Sequence, residues 1–253
     1  MNLLTAFRKE WLEALRNYRL LIVVVVLAFF GMTSPLLAKI TPQIVTAVVP
    51  QGTDISQIIP TPTVRDAIAQ YVKNMGQFSI VLALLLGMGS VVQEKEKGTA
   101  AMMLVKPLPR GSFLGAKYLG LASIFAISIV IAGIGSYYYT LLLFETMSAI
   151  DWLLLNIFLF LYVLVIIAIS LFCSTVTKSQ AAAGGMAAGI IASGLIIGAI
   201  RGLGKYLPGE LITWGVRLMQ GDTSPSWLAL GISLGLILVP LFAAWLIFKN
   251  QEI

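Results

Sequence analysis

Six stretches of this chain, each 19 to 26 residues long, contain no Asp, Glu, Lys or Arg. They cover residues 20–38, 74–93, 119–144, 152–177, 181–200 and 227–248, and they limit the fold more than any other feature of the sequence. A helix needs about 20 apolar residues to cross about 30 Å of hydrocarbon. Lipid offers the backbone no hydrogen-bond partners, so a spanning segment is a helix or part of a closed barrel, and barrel strands alternate instead of running apolar throughout. The sequence therefore predicts an all-α integral membrane fold, one domain over residues 1–253 with six transmembrane helices. Only 11% of the residues are charged, against roughly 25% in a soluble domain. The first run follows four basic residues, as a signal peptide does. It is long for an h-region and no A-x-A site follows, so it reads as an uncleaved signal anchor.

The basic residues set the orientation. With the N-terminus inside, Arg8, Lys9, Arg16, Arg19, Lys95, Lys97, Lys106, Arg110, Lys117, Lys178 and Lys249 are cytoplasmic, eleven against the six outside: Lys39, Arg65, Lys73, Arg201, Lys205 and Arg217. That bias predicts cytoplasmic N- and C-termini. It accounts for the basic excess without a nucleic-acid partner.

Between the runs, residues 1–19 read as an amphipathic helix in the membrane interface. Leu3, Phe7, Trp11, Leu15 and Tyr18 form the apolar stripe, and Arg8, Lys9, Glu10, Glu13 and Arg16 take the other face. Residues 39–73 read as an external segment in which Pro42, Pro50, Pro60 and Pro62 break regular structure. A helix then starts at 64, capped by Thr63 with Asp66 in its first turn, and runs into the second span. Residues 201–226 hold Leu207-Pro208, Ile212, Trp214, Leu218 and Gly221. They are too apolar for a free loop and too short for a span, which predicts a re-entrant hairpin before the last helix.

Much chemistry is excluded. The chain has no histidine and one cysteine, Cys173, which removes Ser-His-Asp triads, HExxH zinc sites and internal disulfides. The runs contain no Asp, Glu, Lys or Arg, whereas ion-coupled transporters place such groups at membrane depth. No nucleotide site is legible either. Around Gly204-Lys205 the nearest approach to a Walker A has Ala199 in place of the first glycine and Tyr206 in place of Ser or Thr. No catalytic residue, metal ligand or cofactor is expected in this chain, and uphill work needs energy from another one.

The segment 94–117 carries the functional reading. Thr99 is an N-cap candidate, 100–105 supply about two helical turns, and Pro107 ends them. A short, apolar, Met-bearing helix between charges has no core of its own. It either docks in a partner's groove or lies flat on the membrane. The string Glu94-x-Glu96-x-Gly98-Thr99, followed by Leu104, Pro107 and Arg110, resembles the E-x-E-x-G-T-x(4)-L-x-x-P-x-x-R signature of type-2 ABC exporter permeases. Pro109 departs from that pattern, where a small hydroxyl residue is usual. The order of interfacial helix, six spans and the Leu207-Pro208…Trp214…Gly221…Trp227 segment resembles the family across the whole chain.

The resemblance implies a transport subunit whose loop fits a cleft in a cytoplasmic ABC ATP-binding subunit. Two ATPases, binding ATP and Mg, would work with two permeases, as a homodimer or a related heterodimer, in a prokaryotic plasma membrane. Glu94, Glu96, Gly98, Thr99, Leu104, Pro107 and Arg110 would then transmit force, and spans two and five would line the pathway at the dimer interface. Independently of the family, Gly185, Gly189 and Ser193, with Gly194 and Gly198, give small-xxx-small spacing in span five, and span two adds Gly87 and Gly89. On the residues alone, packing within the chain is the favoured explanation of both. The rival readings are a six-helix secondary transporter or channel, and a non-transporting membrane scaffold.

Overall fold

The computed structural model describes residues 3–48, 61–96, 109–144, 146–200 and 202–250. Its helices are α1 Leu3–Arg16, α2 Arg19–Val48, α3 Val64–Met88, α4 Val92–Glu96, α5 Arg110–Leu143, α6 Ala149–Val176, α7 Gln180–Ala199, α8 Gly209–Met219 and α9 Trp227–Asn250, with a 3-10 turn at Gly204–Tyr206. Six of them (α2, α3, α5, α6, α7 and α9) are long and apolar enough to cross a membrane. Among the described residues there is no strand.

The helix α6 is the axis of the bundle. It packs against α3, α5, α7, α8 and α9, while α2 lies in the groove of α3 and α5. The main core joins Val23 and Leu27 of α2, Tyr71 and Met75 of α3, Phe125 and Ile129 of α5, and Leu155, Leu159 and Ile167 of α6. Close approach depends on small residues at the crossings. A Cβ on Gly87 would lie 2.5 Å from the Ser170 Cβ, and one on Gly31 2.9 Å from the Ala132 Cβ. Here the absent side chain lets backbones approach and widens their dispersion contact. The outer helices α7 and α9 bury little of themselves and turn Leu195, Ile196, Leu238 and Val239 outward.

Several polar groups inside the bundle are paired, across helices or within one, because hydrocarbon leaves an unpaired one uncompensated, while the Ser79, Ser136 and Ser170 hydroxyls and Trp214 Nε1 are buried without a partner among the described residues. The Tyr71 hydroxyl donates to Asn156 Oδ1 at 2.5 Å, and Asn156 Nδ2 donates to the Trp152 carbonyl at 2.9 Å. Trp152 Nε1 donates to the Gly133 carbonyl at 3.1 Å, and Asn74 Nδ2 to Ser34 Oγ at 2.9 Å.

One local feature departs from the expectations. Pro42 does not break regular structure: α2 carries both Pro35 and Pro42 in its interior and continues to Val48. The prolines leave the Gly31 and Ala38 carbonyls without their i+4 amide donors, while Ser34 Oγ and Thr41 Oγ1 donate to the neighbouring Phe30 and Leu37 carbonyls. Pro50 and Pro60 lie outside the described residues. The start of α3 matches its expectation, with the Thr63 N–H and hydroxyl each donating to Asp66 Oδ2 at 2.8 Å.

The segment before α9 is a 3-10 turn followed by the 11-residue helix α8. Gly215 brings α8 against Leu155, and Trp214 stacks on Phe158 at 4.5 Å while meeting Trp227 edge-on at 5.8 Å. The segment closes over one end of α6 and then reverses at Gly221, whose φ of +84° favours glycine.

Candidate functional site

At one end of the bundle the chain gathers α1, the segment around α4, the start of α5, the α6–α7 connection and the end of α9. The gathering is built on charge. Lys117, a buried residue of α5, places its ammonium 2.8 Å from Glu94 Oε1 and 3.2 Å from Glu10 Oε1. Lys9 of α1 reaches the same Glu94 oxygen at 3.2 Å and lies 3.6 Å from both Glu10 and Glu13. Glu13 in turn meets Arg19 at 3.6 Å. Three carboxylates and three cations thus tie α1, α2, α4 and α5 into one joint and roughly cancel one another. Burial pulls the Lys9 ammonium down, but Glu94, Glu10 and Glu13 together outweigh it and hold Lys9 above the usual lysine value. Glu10, Glu13 and Glu94 crowd closely enough to suit a cation, and the lysines already occupy that role.

Hydrogen bonds complete the joint. The chain leaves α3 at Gly89, turns, and restarts as α4, which leaves amide groups without helical partners. Ser174 Oγ accepts from the N–H of Val91 and of Val92, both at 3.1 Å. The Gln93 amide donates to Gln180 Oε1 at 2.7 Å, and the Lys95 ammonium donates to the Thr175 carbonyl. Arg110 opens α5 and donates to the carbonyls of Phe248 and Lys249, each at 2.6 Å, fixing the last turn of α9. The residues flanking 97–108 on both sides, Lys95 and Arg110, are therefore anchored to the bundle.

The helix α1 docks by its edge. Ala6 and Ala14 are buried and Glu10 covers Gly120, where a Cβ would lie 3.2 Å from the Glu10 Cβ. Leu3, Leu4 and Leu15 remain exposed, on the oily side of the helix. Tyr18, at φ 55°, turns the chain from α1 into α2.

Of the expected force-transmitting residues, Glu94 and Arg110 are placed in this joint, and Glu96 is exposed at the end of α4. Gly98, Thr99, Leu104 and Pro107, and the helix expected at 100–105, lie outside the described residues. The expected packing residues divide. Gly87 serves the α3–α6 contact, Gly89 sits against Gln93, and Gly198 against Leu207. A Cβ on Gly185, Gly189 or Gly194 would meet nothing within 4 Å, so these three do not pack within the chain. Ser193 bonds its own helix, at the Ile190 carbonyl. Sequence reasoning missed Lys117 and Ser174. Lys117 had entered only as one basic residue among eleven, yet it stands two helical turns beyond Arg110 in a run of small and apolar neighbours, a visible sign of a buried cation.

Among the described residues, six helices long and apolar enough to cross a membrane form the bundle, and the larger of its ionic clusters ties the helices together at one end. The family model of ABC-2 family transporter proteins matches residues 4–253, and the chain belongs to that family. It is also similar to the uncharacterized transmembrane protein YxlG of Bacillus subtilis (strain 168), 25% identical over 257 residues that cover 99% of this chain and 98% of that protein.

Proposed function

We propose that this chain is the permease subunit of an ATP-driven exporter in a prokaryotic plasma membrane. It works with two copies of a cytoplasmic ATP-binding subunit and a second permease, identical or related. The single observation that carries the reading is membership of the ABC-2 transporter family over nearly the whole chain. The ionic joint supports it, because segment 97–108 emerges from a place where α1, α3, α5, α6 and α9 are linked. A push on that segment is passed to four spans at once. Both termini are cytoplasmic in this reading, since the joint collects the segments richer in Lys and Arg. The outward-facing Gly185, Gly189 and Ser193 stripe of α7 supports contact with the second permease.

The test is ATP hydrolysis and ATP-dependent export by the chain reconstituted with its ATP-binding subunit. Gly98→Val and Leu104→Ala are the informative variants, because Glu94 and Arg110 have partners inside the chain and their loss disturbs the bundle as well. Severalfold loss of substrate-stimulated hydrolysis with normal membrane insertion is expected. Hydrolysis by the isolated chain, or wild-type coupling in both variants, refutes the reading.

A further inference from the structure

The outer half of α7 turns Gly194 toward the bundle, on the same side as the buried Ala187 and Ile191, yet a Cβ there would meet nothing within 4 Å. Behind it lies a cavity of about 450 Å³, walled by α6, α7, the Gly204–Glu210 turn, α8 and Leu236 of α9. That volume falls within the range of about 300–1,000 Å³ typical of small-molecule sites. The cavity is half open, and α7 and α9, which flank it, do not form a packed pair. Branched aliphatic side chains, among them Val165, Ile166, Ile169, Ile190 and Ile191, make up half of its lining residues.

Two polar features mark its ends. Tyr162 lines the deep end, thirteen residues into the 28-residue α6, roughly 20 Å from that helix's start and so near the bilayer middle. Its side chain is 94% buried, and its hydroxyl has no hydrogen-bond partner among the described residues. A phenol in that position needs a partner. At the other end Glu210 is the lining carboxylate, and Arg217 at 2.8 Å and the Ser226 hydroxyl at 3.2 Å already hold it. Ser193 and Thr213 also line the cavity, but each spends its hydroxyl proton on its own helix, so Tyr162 is the hydroxyl left to donate at the deep end and the site carries no net charge.

We infer that this cavity is a binding site, within one subunit, for an uncharged and mainly aliphatic amphiphile whose ester, ketone or alcohol oxygen bonds the Tyr162 hydroxyl. A charged group at this depth is costly, and nothing there compensates it. The site enters from the bilayer between α7 and α9. It does not rest on the transport reading, and its test needs no ATPase.

The test is photolabelling of the purified chain in nanodiscs with a diazirine-bearing medium-chain fatty acid methyl ester, mapped by peptide mass spectrometry. Labelling within 162–169 and 190–198, displaced by the unlabelled ester, is the expected result. Gly194→Phe fills the cavity and abolishes it, and the lipid-facing control Gly231→Phe does not. Tyr162→Phe keeps the shape and raises the half-saturating ester concentration about threefold to tenfold, the loss of one hydrogen bond; this variant decides the matter if Gly194→Phe fails to fold. Absent labelling, labelling equal in wild type and Tyr162→Phe, or labelling by a diazirine phospholipid that the ester does not displace overturns the inference. In the last case the cavity holds ordinary bilayer lipid. Saturable ester binding without ATP-dependent export in the reconstituted complex leaves the site standing and removes the transport reading instead.

Discussion

Replacing Lys117 with methionine tests the ionic joint most directly. Methionine keeps an unbranched side chain of similar length and removes only the charge. Lys117 is 4% exposed and bridges carboxylates at 2.8 and 3.2 Å, each on a side chain 14% exposed. Removing one partner from a buried ion pair costs about 3–5 kcal/mol, because the other charge stays behind. Here Glu94 and Glu10 retain Lys9 at 3.2 and 3.6 Å and some contact with water, so about 2–3 kcal/mol is expected. For a chain of this length that corresponds to a melting midpoint lower by about 5–10 °C. Tryptophan fluorescence during heating in nanodiscs measures it, with α1 release followed by limited trypsin cleavage. Lys9→Met, on a side chain 37% exposed, should lose less than about 1 kcal/mol. Adding Glu94→Gln to Lys117→Met should restore at least about 1 kcal/mol by removing the stranded charge. A Lys117→Met chain that melts like wild type, or a Lys9→Met chain that loses as much, refutes the reasoning.

Three further outcomes are expected. Gly87→Leu forces α3 from α6, where a Cβ already lies 2.5 Å from Ser170, and should destabilise by about 1–3 kcal/mol; Gly185→Leu should leave the melting midpoint unchanged while reducing permease self-association in crosslinking. Arg110→Ala releases the carbonyls of Phe248 and Lys249, so hydrogen exchange in the last turn of α9 should quicken while the core of α6 stays protected. In a Cys173→Ala background, a cysteine at 222 should react with an impermeant reagent from outside and one at 178 only after permeabilisation; the opposite pattern inverts the proposed orientation.

The spans were legible because lipid removes ambiguity: a charge-free run of this length has few alternatives to a helix. The helices extend beyond those runs, since Arg65, Lys73, Arg110 and Lys117 ride on the ends of α3 and α5, where water or partners reach them. The Thr63–Asp66 cap was legible because capping is local. The joint was not. Glu94 and Lys117 are separated by a segment whose path the sequence does not dictate, and Glu10 by a hundred residues, so nothing local pairs them. The same limit applies to small residues. The spacing of Gly185, Gly189, Gly194 and Gly198 gave a close-packing pattern, but spacing is blind to whether the opposite side is a helix, lipid or empty space.

The way α1 is held has a consequence for handling the protein. Its grip on the bundle combines the ionic contacts of Glu10 and Lys9 with the packing of Leu3, Ala6, Phe7 and Ala14, while its oily flank at Leu4 and Leu15 faces away. The bilayer surface is then a second wall, pressing the helix onto its seat as a cover glass holds a thin section. High salt screens exposed parts of the ionic grip, and a small detergent micelle replaces the flat wall with a curved one. Either change alone leaves α1 seated by the other restraint. The two together should loosen it most, exposing Glu94 and Lys117 to water beside the segment that carries the signature.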